Sequence, residues 1–315
     1  MTLEHYATTY LEGRGLPWPA APEVKPPKKA HPHIEKLPVR AVMWTVYGTL
    51  LAVPTGELHF EAAIDFVMDA ALDKTIQEFK MWNSMSRKPG APAAYMKEMY
   101  TRTYTMLKMA GSGGEKYPEV VSERIWDDIV KKLMQKEYVV DASLYGSLDE
   151  LAKKIAYFFH ASIQGCGGYP GAAEALRFVA ESGRAQGLLA DGQCFTPAQL
   201  LKAMLHQDPS FQLANMLPPN LRVLSAEKKA HKPSETLFKA AIAALAARGI
   251  APSEILHVGS NLTRDIAPAK KLGMKTALFA GDKASLAATP EQLQDPLFRP
   301  DVLLTELTQI AEVIS

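Results

Sequence analysis

The feature that most constrains this chain is an alternation running through its C-terminal half. Short apolar runs at 185–190, 222–225, 254–258, 275–280 and 301–304 read as strands, and the stretches near 172–182, 196–207, 233–248 and 263–272 read as the helices between them. Strand and helix in turn, joined by short loops, imply a doubly wound parallel sheet with right-handed crossovers. Thr196-Pro197 and Lys232-Pro233 are helix starts, and Gly249 and Gly273 suit helix ends. Residues 41–46, between Pro38 and Gly48, are too short for a typical helix and join the sheet as a buried strand. Ligands of open α/β sheets sit beyond the carboxyl ends of strands, which puts Thr45, Tyr47, Gly48 and Thr49 at the presumptive site.

Between that first strand and the alternation lies a different pattern. Ile64, Val67, Met68, Ala71, Leu72, Ile76 and Phe79 form one helical stripe, and Met96, Met99, Tyr100, Thr103 and Leu107 a second. Val121, Ile125, Ile129 and Leu133 make a third, and Leu151, Ile155, Phe158 and Phe159 a fourth. Stripes at this spacing are plain core in the first instance, although their Met-rich, aromatic faces could line a pocket. Loops fall at 87–90 and 111–114. The expected division is a proline-rich arm at 1–38, a core at 39–55 and 165–315, and a helical block at 56–164. The turn-rich GCGGYPG at 165–171 returns the chain to the core.

The arm holds a possible short helix at 3–11 and then seven prolines through Pro38, so it should drape over the core or reach a partner. Its His31 and His33 form a His-x-His pair without further ligands, and the plain reading of the segment is a solvated linker. The whole chain has 315 residues and balances 35 basic against 34 acidic side chains, which excludes non-specific nucleic-acid or membrane-surface binding. Only Cys166 and Cys194 are present, and no apolar run approaches the ~20 residues of a membrane span, so a reducing cytoplasm is expected.

The run VRAVMWTVYGTLL at 39–51 resembles the first motif of the haloacid dehalogenase-like (HAD) hydrolase superfamily, a strand ending in Asp-x-x-Gly-Thr-Leu. The resemblance implies a Rossmannoid core with an inserted all-helical cap, as in the dehalogenase and phosphoglycolate phosphatase branch. In that family the aspartate is the nucleophile; here Thr45 stands there, and Tyr47 stands where phosphatases keep a second acid. The second motif falls on GLLADG, with Ala190 at the hydroxyl position and Asp191 beside it. Lys232 matches the third-motif lysine. In HVGSNLTRD, the fourth, Ser260 replaces the first aspartate, Asp265 keeps the second, and Arg264 stands where the family often has Asn.

The family's Mg²⁺ takes carboxylate oxygens at the positions of Thr45 and Ser260, so the resemblance implies that the metal site is lost and no cofactor is held. Thr45 would need an activating base, for which His231 and His257 are candidates, His257 reading more simply as a core residue. The expected function is a non-hydrolytic module that binds a small anionic ligand or a protein, with Thr45, Tyr47, Gly48, Thr49, Asp191, Lys232, Ser260 and Arg264 at the site. The alternative is a remodelled, metal-independent hydrolase in which Asp191 or Asp265 serves water as base. Lys232 is expected to pair with Asp265, and Lys232 with Arg264 to favour anions.

Overall fold

A computed structural model describes residues 1–85, 91–111 and 113–314. Its centre is a six-stranded sheet in the order β5-β4-β1-β6-β7-β8, parallel throughout. The strands are β1 Ala41–Trp44, β4 Ala185–Ala190, β5 Arg222–Leu224, β6 Ile255–Gly259, β7 Lys275–Phe279 and β8 Val302–Leu304. β1 is central, with neighbours on both sides, and all four of its residues are buried, as an apolar run without alternation requires. The Trp44 indole meets Gln186 Oε1 at 3.1 Å, and the Gln186 amide donates to the Leu176 carbonyl, so the polar atoms of this interior are paired. A short antiparallel pair, β2 Leu51–Ala52 and β3 Gly167–Gly168, joins the two passages between core and helical block.

The block consists of α1 Asp65–Glu78, α2 Pro92–Ala110, α3 Ser122–Met134 and α4 Leu148–Ile163, with a single turn at Ala142–Tyr145. The stripes bury Met68, Leu72 and Ile76 on α1, Met96 and Tyr100 on α2, Ile125 and Ile129 on α3, and Leu151, Ile155 and Phe159 on α4, in one apolar cluster distinct from those around the sheet. Ile64 lies outside its expected stripe, preceding the helix and 63% exposed. Core helices follow at α5 Ala172–Glu181, α6 Thr196–Gln207, α7 Glu235–Ala246 and α8 Ala267–Lys271.

Three expectations are corrected in detail. β1 ends at Trp44, not at residue 46, because the chain turns there: the Val46 carbonyl accepts from Thr49, Leu50 and Leu51. α7 begins at Glu235, not at Lys232-Pro233, since Ser234 caps it by accepting from the Thr236 N–H. The arm is no solvated linker at its start. Residues 3–10 are helical, and Tyr6, Ala7 and Leu11 are fully buried in the cluster of the helical block. Farther along, His33 pairs antiparallel with Leu303 through its backbone. The loop expected at 87–90 and Ser112 lie outside the described residues. No helix among the described residues is long and apolar enough to cross a membrane.

Candidate functional site

Four strand ends converge at the carboxyl edge of the sheet. After β1, Thr45 still donates its N–H to the Val258 carbonyl, and the turn through Gly48 follows. Gly48 has φ +79°, and a Cβ there would lie 2.8 Å from Ser260 Oγ and 2.9 Å from the Gly56 carbonyl, so only glycine fits. After β6, the Asn261 side chain caps the next turn by accepting from the Thr263 and Arg264 N–H groups at 3.0 Å each. That turn aims Asp265 back at the sheet. Its carboxyl lies against Gly259, where a Cβ would come within 2.3 Å of it.

The result is a closed cluster beneath the edge. Lys232 Nζ donates to Asp265 Oδ1 at 2.6 Å and to Thr45 Oγ1 at 2.7 Å, and lies 3.3 Å from His257 Nε2. The Thr45 hydroxyl donates to Asp265 Oδ1 at 3.0 Å, and Asp265 Oδ2 accepts from the Asn261 N–H. His257 Nδ1 sits 3.0 Å from the Met43 carbonyl, the contact of an Nδ1–H tautomer whose Nε2 is left to accept. Burial, and then the Lys232 ammonium, push the His257 imidazole down, so it is neutral. Burial alone would raise the Asp265 carboxyl, but the Lys232 ammonium outweighs it and holds it well below the usual carboxylate range. The pairing of Lys232 with Asp265 expected from sequence is therefore present.

Above this cluster lies a cavity of about 380 Å³ between the sheet edge and the helical block. Thr45, Tyr47, Asp191, Ser260, Arg264 and Asp265 line it, whereas Lys232, Gly48 and Thr49 do not. Tyr47 directs its hydroxyl into the core, to Gln199 Oε1 at 2.6 Å and Thr196 Oγ1 at 2.9 Å. The Thr49 hydroxyl is buried without a partner among the described residues. Arg264 bridges two carboxylates, Glu57 Oε1 and Asp191 Oδ2, both at 2.6 Å, and these hold its guanidinium above the usual value against the cost of burial. Asp191 Oδ1 accepts the Lys232 N–H at 2.7 Å.

Both cations expected to favour an anion are thus engaged within the chain. Internal carboxylates and acceptors take up the Lys232 protons, and the Arg264 fork is engaged at both ends. The oxygen set is equally ill-suited to Mg²⁺. Hydroxyls stand at Thr45 and Ser260, and both oxygens of Asp265 are already hydrogen-bonded. Among the described residues no group of three or more His, Cys, Asp or Glu is placed to hold a metal, the His31/His33 pair included.

Sequence reasoning missed what the helical block contributes. The loop 115–121 before α3 is stitched to the loop before α7: Pro118 pairs antiparallel with Ala230, His231 donates its N–H to the Tyr117 carbonyl, and Glu115 accepts from Ser234 and Thr236. Gln193 fastens the same loop, accepting from the Ser122 N–H and donating to the Val120 carbonyl. This holds Glu119 in the cavity wall, where burial, reinforced by Asp191, pushes its carboxyl up to about 7. Glu57 and Glu119 sit in irregular segments with no periodic signal. His257 was readable as a core residue, yet it also touches Thr45, 3.4 Å from Oγ1.

The fold so described is an α/β core on a six-stranded parallel sheet with a helical block inserted after β2. Residues 230–310 match the family model described as HAD-hydrolase-like. Among solved structures, a haloacid dehalogenase from Pseudomonas syringae pv. Tomato DC3000 is similar at 18% identity, covering 87% of this chain and 97% of that one, with a TM-score of 0.49. A HAD phosphatase from Thermococcus onnurineus is 17% identical, over 86% and 96%, at TM-score 0.46. A putative HAD-hydrolase from Bacillus subtilis is 13% identical, over 88% and 97%, at 0.42. No curated protein matches the chain in sequence.

Proposed function

We propose that this HAD-like protein binds a ligand in the cavity over the sheet edge and does not hydrolyse it. One observation carries the reading: the position of the family's nucleophile is held by a threonine locked between Lys232 and Asp265. A hydroxyl attacks only when a base takes its proton. Here that proton points to a carboxylate held far below its ordinary pKa, a feeble base, while the His257 lone pair faces the Lys232 ammonium. The chain's own ammonium thus does what the magnesium would do, neutralising the remaining carboxylate, and no Mg²⁺ site is proposed.

A second reading, hydrolysis by water with a carboxylate as base, is supported by Glu119, whose pKa of about 7 suits proton transfer near neutrality. Turnover of a panel of phosphate esters and haloacids, with and without Mg²⁺, separates the two. The expected outcome is no turnover in either condition, and Mg²⁺ titrations giving no site tighter than about millimolar. Metal-independent turnover lost in Asp191→Asn or Glu119→Gln would instead establish the hydrolase.

A further inference from the structure

We infer that this cavity, on the non-hydrolytic reading above, accepts a small organic ammonium with an aromatic body, the reverse of the anion its motifs suggest. Four carboxylates line it: Glu57, Glu119, Asp191 and Asp265. Lys232 cancels Asp265 from below, and Arg264 spans both Glu57 and Asp191, one cation against two anions. Glu119 adds a further acid, its Oε1 accepting the neighbouring Val120 N–H. Lys108 stands at the exposed rim, 5.7 Å over the Tyr104 ring, and His231 turns Nδ1 to the Lys232 carbonyl. The interior therefore carries excess negative charge, and its strong donors are already engaged.

Two observations independent of the acids point to an occupant. Ser260 is only 4% exposed, yet it lines the cavity, and its hydroxyl has no hydrogen-bond partner among the described residues. A hydroxyl that opens on the cavity with no protein partner is a donor and acceptor left for a ligand. The opposite wall is aromatic: Phe60 and Tyr104 stack with ring centres 5.3 Å apart and planes at 14°. A ligand ring can extend that stack while an ammonium reaches Glu119 and the Glu57–Asp191 pair, and the aromatic faces themselves favour a cation. A phosphate or carboxylate entering the same space meets like charge and must first displace Glu57 or Asp191 from Arg264.

The test is calorimetry on the full chain at constant ionic strength, with three probes sharing one aromatic body: phenethylammonium, phenethyl alcohol and hydrocinnamate, and inorganic phosphate as a fourth. Phenethylammonium is expected to bind best, and Glu119→Gln to weaken it about tenfold. Tyr104→Leu, a substitution in the half-buried wall, is expected to weaken all three aromatic probes together. Absence of phenethylammonium binding, hydrocinnamate or phosphate binding as tightly, or both variants binding phenethylammonium like the parent chain would each overturn the inference. An anion that wins leaves the non-hydrolytic reading standing, whereas turnover of phosphate esters removes that reading without touching the ranking of the probes.

Discussion

Two polar clusters lie one above the other at the carboxyl edge of the sheet, and they are built on opposite terms. In the lower one, Lys232, Asp265, Thr45 and His257 satisfy one another within 3.6 Å, and Lys232 and Asp265 are 1% and 3% exposed. In the upper one, Glu119 is forced towards its neutral form and Ser260 keeps a hydroxyl without a partner among the described residues. Closed networks hold a fold together; incomplete ones leave something for a ligand to do. The comparison teaches that Lys232, Asp265, Thr45 and His257 form a closed network that belongs to the structure, while the groups left incomplete line the cavity between the sheet edge and the helical block.

The comparison can be broken most directly at Lys232. Lys232→Ala leaves Asp265 buried and unpaired, and urea unfolding should show a loss of about 3–5 kcal/mol. A near-neutral result would mean that the lower cluster holds nothing together. The next effect is read in pH. The Glu119 carboxyl ionises near 4.5 in the unfolded chain but at about 7 in the fold, where it faces Asp191 and Arg264. The folded protein keeps a proton that the unfolded chain has released. Its contribution to stability is thus full below 4.5 and declines as pH rises to 7, by about 3 kcal/mol. Glu119→Gln should remove this slope, and an unchanged profile in that variant would place the titration elsewhere. The smallest effects sharpen the contrast between the two hydroxyls: Thr45→Val should cost about 1–3 kcal/mol, because it takes one hydrogen bond each from the buried Lys232 and Asp265. Ser260→Ala should stay within about 0.5 kcal/mol. Equal losses in thermal unfolding would erase the distinction.

Much of this was legible in the sequence because periodicity reports burial. Runs such as 185–190 and stripes such as Leu151, Ile155 and Phe159 name their elements through apolar spacing alone. The motif frameworks likewise placed Thr45, Lys232, Ser260 and Asp265 at one edge. What spacing cannot convey is how charge is shared once residues meet. Arg264 looks like a free cation in a linear sequence, but its partners Glu57 and Asp191 lie far away in the chain, 207 and 73 residues from it. The start of the arm was legible only in part: a short helix at 3–11 could be read, but not the full burial of Tyr6 and Leu11, because so short a stretch gives too little pattern to announce a core.

That arm ties distant parts of the molecule to one another. Tyr6 hydrogen-bonds Glu78 at the end of α1, Arg14 pairs with the same carboxylate, and Trp18 packs edge-on to Phe158 of α4. The chain then exchanges hydrogen bonds with Asp282 and Lys283 beyond β7, and joins β8 at His33. In mechanical terms the helical block is not a door on two hinges. It is a door with a strap running to the far post, so any swing about its two connections must stretch or release the strap. Residues 1–38 therefore hold the helical block to the sheet at a third place, beyond its two covalent connections.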